Sequence, residues 1–192
     1  DLARVIETIG APMDVLGHSM GGKASMQLAL TRGELIDRLV VADIAPVAYG
    51  HSQSHIIRAM RGLALHDLST RSEADRRLAA SVGDAGVRAF LHQSQDLNAD
   101  PPAWRLNLDV LERDMEQITG WPGTEGRFEG PALFLSGAQS DYVRPEHRET
   151  IRRLFPNARF AKIPGAGHWL HAERPREFEA AVRTFLDRSS PG

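Results

Sequence analysis

A serine within the segment DVLGHSMGGKASM, residues 14–26, could act as a nucleophile. Ser19 stands at the centre of a G-x-S-x-G pattern, between Gly17 and Gly21. This pattern is typical of a sharp turn between a strand and a helix, where the serine is held in a strained backbone conformation above the edge of a sheet. The chemistry that it predicts is covalent catalysis, in which the serine hydroxyl attacks an acyl carbonyl.

The same segment also fits most of a phosphate-binding loop, G-x-x-x-x-G-K, over residues 17–23. Such a loop needs Ser or Thr directly after the lysine, because that hydroxyl holds Mg²⁺, and Ala24 stands there instead. His18 and Met20 are also bulky, where a loop that wraps a phosphate favours small residues. The sequence therefore favours the nucleophile turn and leaves the phosphate loop as an alternative.

A serine nucleophile needs a base, because a free hydroxyl is a poor nucleophile at neutral pH. His168, in GAGHW, lies in a glycine-rich loop just after the last predicted strand, at the edge of the sheet where Ser19 is expected. His171 is the rival, and with His168 and Glu173 it could form a metal site of the type H-x-x-H-x-E. We favour His168 as the base and His171 as a packing residue, and we predict no metal and no cofactor.

The acid that orients the histidine has two candidates. Asp43, in VVADIAP, ends the strand that follows the nucleophile helix, and Asp141, in SGAQSDYV, follows a later strand. Either carboxylate could accept a hydrogen bond from the second ring nitrogen of His168 and stabilise the imidazolium. Each could equally be a loop-capping aspartate, and spacing alone does not separate the two.

The turn at Ser19 also predicts part of an oxyanion hole. The backbone N–H of Met20 is expected at the first turn of the following helix, where it and the helix dipole would face the reacting carbonyl oxygen. Gly17 and Gly21 are expected because side chains there would collide across the turn, and Gly22 because the helix packs close to the strand.

Strands and helices alternate at the two ends of the chain. Strand–helix–strand with short links predicts a parallel sheet, and therefore an α/β protein. The predicted strands are 13–19, 36–46, 131–137 and a segment within 158–169 that runs into a glycine loop, and the predicted helices are 2–9, 22–33, 144–155 and 174–188.

The middle of the chain is different, since helical spacing dominates from Ala48 to about Ile118 and no convincing strand is seen. This pattern predicts an all-helical insertion. Its apolar side chains could line an acyl pocket or pack as a core, and those that suggest the pocket are Ile56, Met60, Trp104, Leu108 and Leu111.

Composition narrows the classes of function. The 192 residues, 42% hydrophobic, suit one domain with a large insertion. The net charge of -2, from 23 basic and 25 acidic residues, argues against a nucleic-acid or membrane surface. The absence of cysteine excludes disulfides, zinc thiolate sites and a cysteine nucleophile. No apolar run approaches the ~20 residues of a membrane helix, and a cytoplasmic protein fits.

The motifs GHSMGGK, DIAPV and GAGHW followed by HAERP resemble the α/β-hydrolase superfamily and, more narrowly, the YbfF-like serine esterases. The resemblance covers the whole chain. It implies that Ser19 is the nucleophile, that His168 is the base and that Asp43 is the acid, with Asp141 as the alternative.

The resemblance implies an α/β-hydrolase fold, with a parallel sheet flanked by helices in 1–47 and 125–192 and a helical lid in 48–124. The implied activity is hydrolysis of small or medium carboxylic esters through an acyl-enzyme, with a small-molecule ester as partner. The same residues also serve thioesterases, lactonases, C–C hydrolases and cofactor-free haloperoxidases. A non-catalytic binding scaffold is a further alternative.

One departure from the family pattern concerns the start of the fold, which normally has strands and an oxyanion loop before the nucleophile strand. This chain begins at the helix that leads into that strand. We therefore expect the N-terminal strands and the second oxyanion donor to belong to a segment outside these 192 residues, and the nucleophile strand to form an exposed sheet edge.

Overall fold

The structure is a computed structural model that describes residues 1–50, 54–68 and 70–187. Parts of the predicted insertion, 51–53 and 69, and the last residue of the final predicted helix, 188, lie outside these ranges. Within them the chain divides into two compact units, one of residues 1–48 and 121–192 and the other of residues 49–120. No helix in these ranges is long and apolar enough to cross a membrane.

Strands and helices follow one another closely along the chain. The strands are β1 (Met13–His18), β2 (Ile36–Ala42), β3 (Gln95–Asp96), β4 (Ala103–Trp104), β5 (Ala132–Gly137) and β6 (Ala158–Ile163). The helices are α1 (Leu2–Ile9), α2 (Met20–Thr31), α3 (Ser54–Gly62), α4 (Arg71–Leu78), α5 (Ala85–His92), α6 (Leu108–Arg113), α7 (Met115–Thr119), α8 (His147–Leu154), α9 (Leu170–Glu173) and α10 (Pro175–Leu186).

In the described part of the first unit, four strands form a parallel sheet in the order β1-β2-β5-β6. Gly17 pairs with Val41, and Val41 pairs in turn with Phe134. The predicted parallel sheet is therefore confirmed. Strand β1 forms one edge, where the side chain of Leu16 is 45% exposed.

The two central strands are buried on both faces, β5 throughout and β2 from Leu39 onward, as near-continuous apolar runs in parallel sheets usually are. Alternate side chains point to opposite faces. Val40 packs towards Phe185 of α10 on one face, and Phe134 on β5 stacks edge to face on Phe155 with ring centroids 5.4 Å apart. This core fixes the carboxyl ends of the strands, from which the functional loops leave.

Two predicted boundaries differ from the observed ones near the nucleophile. Helix α2 begins at Met20 rather than at Gly22, because the chain turns sharply at Ser19 and enters the helix at the next residue. Strand β2 ends at Ala42 rather than at Pro46, because Asp43 has a φ of 51° and leaves the extended conformation. As a result, Ser19 directly follows the end of β1, and Asp43 directly follows the end of β2.

The second unit, residues 49–120, contains α3 to α7 and a short antiparallel pair, β3 with β4, in which Gln95 is opposite Trp104. The prediction that this segment is all helical is therefore wrong in this detail. Strands of two residues carry too little periodicity to be seen in a sequence. The function of this unit as a lid stays a prediction.

Apolar side chains of the second unit form a core of their own. Met60 is 2% exposed and packs with Val82 and Leu91. The indole N–H of Trp104 donates to the carbonyl of Met60 at 2.9 Å. Four of the residues considered for an acyl pocket belong to this cluster, so core packing accounts for them: Ile56, Met60, Trp104 and Leu108.

Candidate active site

Ser19 occupies the corner between β1 and α2 with a φ of 54°. Residues other than glycine rarely adopt this conformation, which costs on the order of 1–3 kcal/mol and persists only where the surroundings impose it. The sharp turn and the strained serine predicted from G-x-S-x-G are both present. The corner presents Ser19 between the carboxyl end of a strand and the amino end of a helix.

Glycine is required at two positions around this corner. A Cβ atom at Gly17 would lie 2.4 Å from the carbonyl oxygen of Gly21, and one at Gly22 would lie 2.6 Å from Cγ2 of Ile44. The predicted collision at Gly21 itself is wrong, because a Cβ atom there meets nothing within 4 Å. The close contacts that set the turn come from Gly17 and Gly22.

The phosphate-loop alternative does not survive the placement of Lys23. The lysine of a phosphate loop must reach the phosphates, but Lys23 lies in α2 and is only 8% exposed. Burial lowers the pKa of Lys23 to about 8. The segment is a strand-to-helix corner rather than a curve that wraps an anion.

His168 makes a hydrogen bond at each end of its ring. Its Nδ1 lies 2.8 Å from Oδ2 of Asp43, and its Nε2 lies 3.1 Å from Oγ of Ser19. A carboxylate can only accept, so Nδ1 carries the proton and Nε2 is free to accept the proton of the serine hydroxyl. The structure thus brings together Ser19, His168 and Asp43, and this arrangement can remove a proton from Ser19.

Asp43 is fully buried, and donors replace its hydration shell. Its Oδ1 accepts from the backbone N–H of Gly137 at 3.0 Å, and its Oδ2 accepts from the hydroxyl of Ser140 as well as from His168. These bonds orient the carboxylate so that Oδ2 faces the imidazole. Neither Gly137 nor Ser140 was singled out from the sequence, because both are common in loops.

Asp141, the alternative acid, is not brought to His168. It is an exposed residue of the loop after β5, and its backbone carbonyl accepts a hydrogen bond from Nε of Arg144 at 3.0 Å. The residue before it, Ser140, contacts Asp43 instead. The structure therefore places Asp43 rather than Asp141 against the imidazole.

Aromatic rings enclose the imidazole of His168. Tyr142 stacks on it with ring centroids 4.0 Å apart and planes at 21°, and His18 lies 4.7 Å away. His18 also donates from Nε2 to the backbone carbonyl of His168 at 2.8 Å. Burial lowers the pKa of His18, and the nearby rings of His168 and His171 lower it further. Sequence reasoning gave Tyr142 no role, because it follows Asp141 without any motif.

The metal-site alternative fails because the side chains of His168 and Glu173 are engaged in hydrogen bonds to other groups. His171 lies in α9, with its ring 4.6 Å from that of His18 and 6.0 Å from that of Phe178. Glu173 accepts from backbone N–H groups of the His168 loop. In the part of the chain that the structure describes, no group of three or more His, Asp or Glu side chains is placed to hold a metal ion.

Met20 begins α2 directly after the serine. The first N–H groups of a helix have no acceptor within it and carry the positive end of the helix dipole. The carbonyl of Ser19 already accepts the first bond of the helix, from the N–H of Lys23 at 3.1 Å. The N–H of Met20 is thus at a helix end suited to stabilise negative charge next to Ser19.

Comparison with known proteins gives the family. The profile of the alpha/beta hydrolase family matches residues 1–181. The chain belongs to this family. The alpha/beta hydrolase fold accounts for the parallel sheet, the flanking helices and the corner at Ser19.

Relatives within the alpha/beta hydrolase family include a diacylglycerol lipase and esterases. Mouse sn-1-specific diacylglycerol lipase ABHD11 is 41% identical over 194 residues, which cover 97% of this chain and 63% of that protein. Esterase YbfF of Escherichia coli strain K12 is 38% identical over 174 residues, which cover 90% and 66%. The structure of a marine microorganism esterase matches with a TM-score of 0.91 and 33% identity, over 97% of this chain and 75% of that one.

These similarities confirm the predicted resemblance to YbfF-like esterases. The chain spans 63% of the mouse lipase and 66% of the bacterial esterase. The roles of the individual residues stay predictions.

Proposed function

We propose that the protein hydrolyses carboxylic esters through an acyl-enzyme formed on Ser19. The observation that carries the proposal is the hydrogen-bonded line from Ser19 Oγ through His168 to the buried carboxylate of Asp43, with distances of 3.1 and 2.8 Å. Nucleophile, base and orienting acid are the groups that acyl transfer needs, and each is within reach of the next.

In the proposed reaction, Ser19 Oγ attacks the ester carbonyl while Nε2 of His168 takes the hydroxyl proton. Asp43 stabilises the imidazolium that results. When the tetrahedral intermediate collapses, the C–O bond breaks and His168 gives its proton to the leaving alcohol. A water molecule then attacks the acyl-enzyme, His168 accepts and returns a proton in the same way, and the carboxylic acid leaves with Ser19 restored.

The oxyanion of the intermediate is proposed to bind the backbone N–H of Met20, which follows the nucleophile at the start of α2. A second donor is proposed to come from a segment before the nucleophile strand, where the family fold has an oxyanion loop. Strand β1, at the sheet edge with Leu16 exposed, is where such a segment would pair.

The substrate class is proposed from the names of the relatives. One bacterial relative is named an esterase, and one mouse relative is named an sn-1-specific diacylglycerol lipase. We propose esters with small or medium acyl chains as substrates. A series of p-nitrophenyl esters from acetate to decanoate, assayed with the full-length protein, would define the preferred chain length.

A fluorophosphonate probe tests the nucleophile. We expect the probe to label the full-length protein at Ser19, identified by peptide mass spectrometry, and to leave Ser19→Ala unlabelled. Ser81→Ala, which removes an exposed hydroxyl of the second unit, is the matched control and should label like the wild type. A folded wild-type protein that resists the probe would favour the binding-scaffold alternative over the esterase.

A further inference from the structure

A single carboxylate holds the main chain on both sides of His168. Oε2 of Glu173 accepts from the N–H of Gly167 at 2.7 Å, and Oε1 accepts from the N–H of Trp169 at 3.2 Å. The two peptide groups that flank the imidazole-bearing residue are therefore tied to one side chain. Hydrogen bonds to an ionised acceptor are stronger than those between neutral groups.

The carbonyl between these two N–H groups has its own partner. The backbone oxygen of His168 accepts from Nε2 of His18 at 2.8 Å. Because a carbonyl only accepts, Nε2 of His18 must carry a proton. Burial lowers the pKa of His18 and so favours the neutral ring beside His168.

The position of the main chain matters because the imidazole must reach partners at opposite ends of its ring. Its Nδ1 and Nε2 lie 2.8 Å from Asp43 and 3.1 Å from Ser19, and both distances depend on where the loop places Cα of His168. A misplacement of 1 Å can cost about 10²-fold in rate. The contacts that hold this loop therefore bear on the position of the ring.

The loop that carries His168 packs closely against Gly137, the last residue of β5. A Cβ atom there would lie 2.1 Å from the carbonyl oxygen of Gly167, so the loop backbone rests directly on the end of β5. The N–H of Gly137 donates to Asp43. The loop is thus packed against the residue that orients the acid, and Glu173 and His18 complete its attachment.

We propose that Glu173 and His18 are positioning residues for His168, and that they hold the imidazole in register with Ser19 and Asp43 by fixing the peptide groups at 167, 168 and 169. The proposal rests on the proposed esterase function. It assigns to the glutamate of HAERP and the histidine of GHSMGG a role in the geometry of the base rather than in contact with substrate.

Glu173→Gln tests the carboxylate, with Glu177→Gln as the matched control. The amide keeps one acceptor oxygen but turns a donor towards the second N–H, so one bond of the pair is lost. Glu177 is an exposed carboxylate on the next helix, and its change alters charge equally. We expect kcat for a p-nitrophenyl ester to fall about tenfold or more in Glu173→Gln, with KM within about twofold and Glu177→Gln unaffected.

His18 is tested by two variants that separate its hydrogen bond from its packing. His18→Phe keeps an aromatic ring against His168 and Trp169 but removes the donor. His18→Gln keeps an N–H donor at a similar reach. We expect kcat to fall in the order wild type, Gln variant, Phe variant, and the opposite order of the two variants would contradict the role of the donor.

A proton NMR signal separates positioning from general stability. In the wild type the Nδ1 proton of His168, bound to Asp43, should give a far-downfield resonance protected from water. We expect this resonance to broaden or vanish in Glu173→Gln and His18→Phe at temperatures well below unfolding. A lower melting temperature with kcat and the resonance unchanged would overturn the proposal and leave both residues with a structural role only.

The same measurements keep this proposal distinct from the proposed function. If the wild type is not labelled at Ser19 by the fluorophosphonate, the esterase proposal fails, while the resonance still reports whether the loop holds the ring. If the wild type is labelled and Glu173→Gln retains the kcat and resonance of Glu177→Gln, the positioning proposal fails and the esterase proposal stands.

Discussion

The Oδ2 atom of Asp43 lies 2.8 Å from Nδ1 of His168, across 125 positions of sequence. If this contact orients the base, Asp43→Asn should lower kcat by about 10⁴-fold. The side-chain amide can donate a hydrogen bond to Nδ1, which favours the His168 tautomer whose proton is on Nε2, and that tautomer cannot accept the proton of Ser19. The measurement is steady-state hydrolysis of a p-nitrophenyl ester.

Asp141→Asn is the matched control for this change. Asp141 is exposed and its neighbour Ser140, not Asp141 itself, contacts the acid. We expect its kcat to stay within about twofold of the wild type, as is usual for surface substitutions away from the site. A large loss in Asp141→Asn with Asp43→Asn nearly intact would reverse the assignment of the acid.

Substitution by alanine at two glycines of the nucleophile turn should change the free energy of unfolding in opposite directions. Gly17→Ala places a Cβ atom 2.4 Å from the carbonyl oxygen of Gly21, and we expect a loss of about 3 kcal/mol in unfolding free energy. At Gly21, which lies in α2, an added Cβ atom would meet nothing within 4 Å, so Gly21→Ala should raise the free energy of unfolding by about 0.5 kcal/mol. Urea unfolding measures both, and equal effects would show that this turn is not set by close packing at Gly17.

The burial of Lys23 should make the stability of the protein depend on pH. Burial lowers the pKa of Lys23 from 10.5 to about 8 in the folded protein, so between these values the unfolded chain binds more protons than the folded one. The free energy of unfolding should therefore rise with pH across this window, by about 3 kcal/mol in total from this group. Urea unfolding from pH 7.5 to pH 10.5 follows the rise.

The chain supplies its own control, because Lys162 is the other lysine. Lys162 is exposed on β6. Lys162→Met should keep the rise in stability between pH 8 and 10.5, whereas Lys23→Met should remove it. If the two variants give the same pH dependence, the ammonium of Lys23 is not desolvated in the folded protein.

The ring of Tyr142 stacks on the imidazole of His168 with centroids 4.0 Å apart and should restrict its orientation. Stacked aromatic pairs contribute about 1 kcal/mol beyond burial, so we expect Tyr142→Ala to lower kcat severalfold. Tyr142→Phe keeps the ring and should lose less. Rates on a p-nitrophenyl ester, compared with melting temperatures, test this, and equal rates for the two variants would remove the stacking argument.

Structural elements that depend only on residues close together in the sequence were predictable. The corner at Ser19 depends on neighbours two residues away, and the apolar run of β2 is visible as such. The pattern predicts the start of α2 two residues after the observed start at Met20, because Gly21 and Gly22 have low helix propensity.

Contacts across long stretches of sequence were harder to predict. Asp43 and Asp141 both follow strands of one parallel sheet, so spacing could not choose between them, and only the family resemblance ranked Asp43 first. The bonds of Glu173 to the His168 loop were missed because they join a side chain to backbone N–H groups, which leave no mark in residue types. The nearest signal was the glutamate five positions after His168.

The order of the strands along the chain has a consequence during synthesis. Ser19 directly follows β1, but His168 comes 149 positions later, after β6. In a nascent polypeptide, 149 further positions must therefore be synthesised after Ser19 before the imidazole of His168 is present. Under the proposed function, Ser19 would become a reactive nucleophile only after β6 has paired with β5 and the loop that follows β6 has brought His168 to it.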